Sequence, residues 1–292
     1  ATFRRILDDF GRNLTTVETT LAAVKDDDVK LPLRFVDIHV DLDGDGKPTD
    51  EFMDILDRIV GSRPVALLET NPEFLVCFDR GDVAWLRSYC HVLAGLVDLY
   101  LAFDTQKQFD LWSATVFARP KSAFAGDAAE RLQKSNDAWD ELVIAEPKRL
   151  SSFRRHIISL AELNRETWKH IRAETDDENE WLPNPKQTGV LRMPVRDEMI
   201  DTWLAMMDEL EALFDGKKTF IKTFLLDKNH QGLDFKVLFD DPPERFVFKE
   251  KFPQNLPDKY WSDMPDVNIQ AIFAVIQVFG QPTAVGYAAW FN

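Results

Sequence analysis

Phe3, Ile6, Leu7, Phe10, Leu14, Val17, Leu21 and Val24 recur at steps of three and four, which collects apolar side chains on one face of a helix. The chain is therefore expected to open with an amphipathic helix that Asp26-Asp27-Asp28 stops. Between Lys30 and Val40 the period shortens to two. Val36, Ile38 and Val40 alternate with Asp37 and His39 behind Pro32, which predicts a short strand. The acidic stretch Asp41 to Asp50 follows, and Phe52, Ile55, Leu56 and Ile59 begin a helix that Gly61 and Pro64 end. A short apolar piece, Phe74 to Phe78, then leads through a turn at Asp79-Arg80-Gly81-Asp82 into a helix from Val83 to Phe103. That helix is apolar on most sides, with Trp85, Leu86, Tyr89, Leu93, Leu96 and Tyr100, so it belongs at the centre of the core.

Further helices are predicted from Gln106 to Phe117, from Ala128 to Ile144 and from Lys148 to Glu174, the last with Phe153, Ile157, Leu160, Leu163, Trp168 and Ile171 on its apolar faces. Asp176-Asp177-Glu178, Pro183 and Pro185 then break the periodicity, making a loop that runs to Pro194. The chain is expected to form one compact unit over 1–292, and 175–194 is where an internal boundary would fall. Helix resumes from Asp197 to Phe214, stopped by Gly216. Thr219 to Leu226 and Leu233 to Phe239 read as a hairpin around Lys228-Asn229-His230-Gln231-Gly232, and a last helix spans Val267 to Phe279. The fold class is mainly α: a helical bundle with a short strand before the acidic loop and a small β-hairpin in the last third.

The acidic loop, Asp41-Leu42-Asp43-Gly44-Asp45-Gly46-Lys47-Pro48-Thr49-Asp50-Glu51, has the spacing D-x-D-x-D-G. Calcium explains it, because a hard ion takes six to eight oxygens at about 2.3–2.6 Å and carboxylates at alternate positions can converge on one point while the backbone curls around it. Gly46 permits the sharp turn needed at the sixth position, and the Lys47 carbonyl falls at the seventh. Phe52 stands where a bidentate Glu would close the site, so Asp50 or Glu51 is expected to close it instead. The expected metal ligands are thus Asp41, Asp43, Asp45, Lys47, Asp50 and Glu51. The competing reading is a solvated acidic turn in which Thr49, Asp50 and Glu51 cap the following helix.

Composition narrows the function without naming it. The chain has 292 residues, 45% of them hydrophobic, with 22 Phe and 8 Trp, which fills a sizeable core and excludes a disordered chain. Its 50 Asp and Glu against 35 Lys and Arg leave −15, which argues against a general nucleic-acid binder. The most apolar helix carries Arg87, His91 and Asp98, so no membrane span is expected. A start at Ala1 suits a mature exported protein after signal cleavage or a chain trimmed at its start, and the calcium-type loop favours a periplasmic or secreted location. Cys77 and Cys90 could pair, although sparse cysteines are commonly small buried apolar residues.

Other candidates each have a bland reading. Asp82, Arg87 and His91 could converge on a ligand, since positions 87 and 91 share a helix face; structurally, Asp79 or Asp82 would cap the helix and Arg80 would pair with a carboxylate. Cys90 and His91 are adjacent on a helix and point about 100° apart, which does not make a nucleophile and its base. His156 and His170 read as ordinary helix residues. Asp176, Asp177, Glu178 and Glu180 could supply another cation patch, although such a run is commonly a solvated loop.

The acidic loop resembles the calcium loops of EF-hand, dockerin and related strand-entered motifs through its sixth position. Together with Asp79 to His91 and the closing Gly286-Tyr287-Ala288-Ala289-Trp290-Phe291-Asn292, it makes the chain look like a family of uncharacterised bacterial proteins, a resemblance that implies no activity. The expected function is a calcium-binding exported bacterial protein with a structural ion, its helical body binding an unknown protein partner or small-molecule ligand. The alternative is a metal-dependent or His-assisted hydrolase using the Asp82, Arg87 and His91 neighbourhood.

Overall fold

The computed structural model describes residues 2–41, 44–54, 75–110, 139–190, 194–220, 231–249, 251–279 and 290–292. The fold is mainly α-helical with small two-stranded antiparallel sheets. Among the described residues its helices include α1 (Thr2–Ala22), α2 (Arg80–Ala102), α3 (Pro147–Ala173), α4 (Asp197–Phe214), α5 (Phe235–Asp240) and α6 (Ile269–Phe279). The strands are β1 (Leu31–Leu33), β2 (His39–Val40), β3 (Asp50–Glu51), β4 (Val76–Phe78), β5 (Glu141–Val143), β6 (Gly232–Leu233), β7 (Arg245–Val247) and β8 (Trp261–Ser262), paired β1 with β4, β2 with β3, β5 with β7 and β6 with β8. Among the described residues no helix is long and apolar enough to cross a membrane.

The long helices stand close to where periodicity places them, and the departures have local causes. Val36 to Val40 does not run as one strand: a 3₁₀ turn, Phe35–Asp37, buries Phe35 against Phe52, Phe78 and Trp181 and leaves only His39–Val40 extended. Glu141–Val143, expected at the end of a helix, is strand paired with Arg245–Val247. Pro147 begins α3, and a residue before proline is disfavoured in helical geometry, which separates this segment from the helix that follows. Phe235–Asp240, expected as the second arm of the hairpin, is helix. The Asp234 side chain accepts from the Val237 N–H at 3.0 Å as its N-cap, and Pro242 and Pro243 follow its end. Gly232–Leu233 pairs instead with Trp261–Ser262, with one further antiparallel bridge from Leu233 to Phe220. The turn expected at 228–232 and the helical stretches expected at 55–59, 111–117 and 128–138 fall outside the described residues.

The chain divides into two compact units. The first comprises 1–16, 90–160 and 208–268; the second comprises 17–89, 161–207 and 269–292, so 175–194 lies inside the second. In the first unit, Leu233, Leu238, Phe246, Leu256, Tyr260 and Trp261 form a buried cluster, and Phe153, Phe214, Phe235 and Phe239 stack beside one another at centroid distances of 5.4 to 5.8 Å. The Arg4 guanidinium donates to the carbonyls of Leu101 and Phe103, satisfying the last turn of α2, where a cation is favoured. The stripe on α1 is less buried than its periodicity implies: Leu14 is covered, whereas Phe3, Ile6 and Phe10 keep 43 to 55% of their surface exposed.

The second unit packs around aromatic rings and a polar chain. Trp168 lies 4.5 Å from Phe291, Phe291 lies 4.8 Å from Phe279, and Trp181 stacks on Phe78 at 5.9 Å. Trp203 Nε1 donates to Asn164 at 2.7 Å, Asn164 donates to Ser88 at 3.0 Å, and Ser88 donates to Asn292 at 3.1 Å. These buried polar groups are thereby satisfied, as a core requires. Cys77 and Cys90 are not joined in a disulfide, in line with the small-apolar reading of sparse cysteine.

Candidate metal centres

The acidic loop is a hairpin loop closed at its base by β2 and β3, with His39 opposite Glu51 and Val40 opposite Asp50. Asp41 organises it. Its carboxylate accepts from the backbone N–H groups of Gly44 at 2.7 Å, Asp45 at 3.1 Å and Gly46 at 2.8 Å. Gly44 and Gly46 sit at φ of 76° and 85°, the left-handed region in which a side chain is penalised, so the loop can curl around that carboxylate. Asp45 accepts from the Lys47 N–H at 2.8 Å. Asp41, Asp45 and the Lys47 backbone are therefore held along one curl, while Asp50 and Glu51 lie in β3, directly before the helical turn that begins at Phe52. Leu42 and Asp43 lie outside the described residues.

A second group of carboxylates was only partly visible in the pattern of residues. Oxygens of Asp79, Glu174 and Glu180 all lie within 4.8 Å of one another. Asp79 precedes α2 and forms a capping box with Asp82: the Asp82 N–H donates to the Asp79 carboxylate and the Asp79 N–H donates to the Asp82 carboxylate, each at 3.2 Å. Glu174 follows the end of α3, where Asn184 Nδ2 donates to the carbonyls of Ile171 and Glu174 at 3.1 and 3.2 Å. Glu180 is brought in by bridges to Cys77 and Gly189, and its carboxylate accepts from the Glu178 N–H at 2.9 Å.

This group is unusual in its electrostatics. Asp82 is 2% exposed and its Oδ1 has no hydrogen-bond partner. Burial drives its carboxyl well above the usual carboxylate range, and the charge on Asp79 adds to that. Glu174 is pushed up to about 9, first by burial and then by the charge and hydrogen bond of Asp79. Burial likewise raises Glu180. The neighbouring cations are committed elsewhere: Arg80 donates to Glu166 at 2.6 Å and to the Val24 carbonyl at 2.9 Å, and Lys30 donates to Asp176 at 2.5 Å and Glu178 at 2.7 Å. Asp79 and Glu174 also line a cleft of about 430 Å³, with Asp28, Lys30 and His170 among its other walls.

Asp82, Arg87 and His91 have separate partners. Arg87 donates through Nε and Nη2 to Glu18 at 3.1 and 2.9 Å and lies 3.8 Å from Glu166. His91 Nδ1 lies 2.8 Å from His156 Nδ1, and His156 Nε2 lies 3.5 Å from Asp98. Asp82 caps α2 and Arg80 pairs with a carboxylate, which is the structural reading of this stretch. The Asp176 to Glu180 run divides: Asp176 and Glu178 hold Lys30, and Glu180 turns inward. The signal for Glu180 was that run and the signal for Asp79 was its capping position; Glu174 carried none, because the turn that brings it to Asp79 is a tertiary feature.

No family model, curated protein or solved structure matches the chain.

Proposed function

We propose that the chain is a calcium-binding exported bacterial protein in which the ion is structural and the helical body binds a protein partner or small molecule. The observation that carries this reading is Asp41. By gathering the amides of Gly44, Asp45 and Gly46, it curls the segment around its own carboxylate, the kind of turn that calcium coordination requires. The ion's role is to lock β2 to β3 and the helical turn beginning at Phe52. The separate partners of Asp82, Arg87 and His91 support binding over hydrolysis, since a hydrolase would need them turned toward one substrate.

Thermal unfolding of chelator-treated protein with and without millimolar Ca²⁺ tests the reading, with Mg²⁺ and an Asp43→Ala/Asp45→Ala variant as controls. Linkage gives about 2.7 kcal/mol of stabilisation when calcium reaches about 100 times its Kd. The expected result is a calcium-specific rise in Tm that the variant loses. A Tm that calcium leaves unchanged would make the loop a hairpin held by its own carboxylate alone.

A further inference from the structure

We infer that His91 and His156 form a transition-metal site in the first unit, separate from the loop at 41–51, in which the two Nδ1 atoms hold one ion of the imidazole-seeking class, Zn²⁺ before Mg²⁺ or Ca²⁺. His91 stands on α2 and His156 on α3, and their Nδ1 atoms face each other at 2.8 Å. Two imidazole nitrogens turned to one spot are a donor set for zinc, copper or nickel, whereas the oxygen-rich loop suits a hard cation. Helix packing sets the distance. A Cβ at Gly95 would lie 3.4 Å from the His156 Cβ, so α2 and α3 run close together where the rings meet.

The rings already stand where an ion needs them. Nitrogens bound to a tetrahedral zinc at about 2.0–2.1 Å are about 3.3 Å apart, and the ring centres behind them are then about 5.2 Å apart. The ring centres of His91 and His156 are 5.1 Å apart. At 2.8 Å the two nitrogens meet head-on with one proton between them. A tilt of each ring by about 35° would turn both lone pairs to an ion beside that line.

Asp98 supplies the independent observation. Its Oδ2 lies 3.5 Å from the other ring nitrogen of His156, Nε2, and Asp98 in turn accepts from Arg149 Nη1 at 2.8 Å. A carboxylate beside Nε2 favours the ring proton there and leaves the Nδ1 lone pair for the ion, the same support that ligating histidines receive from their surroundings. The shared proton then belongs to His91 Nδ1, and it passes through water to His91 Nε2 when the ion takes its place. The His156 side chain keeps 22% of its surface exposed, so water or a small-molecule donor can reach the positions that two histidines leave open.

The test is calorimetric titration of the full chain with Zn²⁺ in millimolar Ca²⁺, which competes for the oxygen-lined loop. One equivalent should bind. His91→Gln and His156→Gln should each weaken it at least tenfold, and His170→Gln, in the second unit, should leave it unchanged. The Asp43→Ala/Asp45→Ala variant should bind Zn²⁺ as the wild type does, and an equivalent lost in that variant would assign the zinc to the loop and overturn the inference. Long-range ¹H–¹⁵N spectra of the wild-type histidine rings read the site without any substitution, and Zn²⁺ should shift the Nδ1 resonances of His91 and His156 together. Ring nitrogens that millimolar Zn²⁺ leaves unshifted would reduce the pair to its shared proton and overturn the inference. So would an equivalent that neither glutamine variant weakens while both keep their native circular dichroism.

Discussion

The two units each gather several carboxylates and neutralise them differently. In the first, Arg149 reaches Asp8 at 2.5 Å, Asp98 at 2.8 Å and Glu146 at 2.6 Å, so one guanidinium serves three acids. In the second, Asp79, Glu174 and Glu180 bring oxygens within 4.8 Å of one another, Asp82 is capped to Asp79, and none of the described lysines or arginines hydrogen-bonds to them. The carboxyl groups respond in opposite directions. The hydrogen bond from Arg149 holds Asp8 and Glu146 below the ordinary carboxylate range, whereas burial pushes Asp82, Glu174 and Glu180 above it. Sign of charge alone therefore says little about an acidic chain; what matters is which acids have a cation within reach and which are left with one another.

The largest effect should come from Arg149→Met, which strands three acids around a partly buried position and should cost about 3 kcal/mol in urea unfolding. A loss below about 0.5 kcal/mol would mean that water screens those acids as well as the guanidinium does. Glu174→Gln should act in the opposite direction. Near pH 7 in chelator it removes a carboxyl that must take up a proton on folding, its folded value being about 9, so the chain should gain about 1–2 kcal/mol, one pKa unit being worth about 1.4 kcal/mol. A destabilised Glu174→Gln protein would show that the glutamate is held by its partners more than it is repelled.

The pH dependence of the chelated protein should carry both signatures. Asp8 and Glu146 have folded values below their unfolded ones of 3.8 and 4.5, so their contribution is present above those values and is lost as pH falls through the lower folded ones. Glu174 has a folded value of about 9 against 4.5, so its contribution is present below 4.5 and is lost as pH rises toward 9. Urea midpoints across this range should fall on both sides. Arg149→Met should flatten the acid side and Glu174→Gln the alkaline side; identical profiles in the variants would refute the assignment. The smallest effect should come from Arg245→Ala. Its 2.7 Å pair with Glu141 is exposed, and the midpoint should move by no more than about 0.5 kcal/mol.

These contrasts also mark what the residue order could reveal. α4 runs from Asp197 to Phe214 as its stripe predicts, and α2 and α3 lie within a few residues of expectation, because three- and four-residue spacing over many turns is a strong signal. The short pieces were harder. At Phe235–Asp240 the alternation of large and polar residues resembles a strand, and the Asp234 cap together with burial of Leu238 decides for helix. The acidic loop declared itself through close spacing in the chain. The group at Asp79 did not, since its members stand at 79, 82, 174 and 180 and meet only when the turn after α3 is folded back beside the start of α2. His91 and His156 were hidden for the same reason, being 65 residues apart.

The Asp41 carboxylate has a consequence in the time domain. Gly44, Asp45 and Gly46 each donate their amide to that single side chain, so these amides share one lock. When Asp41 swings away they are released to solvent together, and their hydrogen–deuterium exchange should follow one shared opening rate rather than a spread of individual ones. An Asp41→Asn substitution would speed all of them at once, and a bound ion that holds the aspartate in place would slow all of them by a common factor.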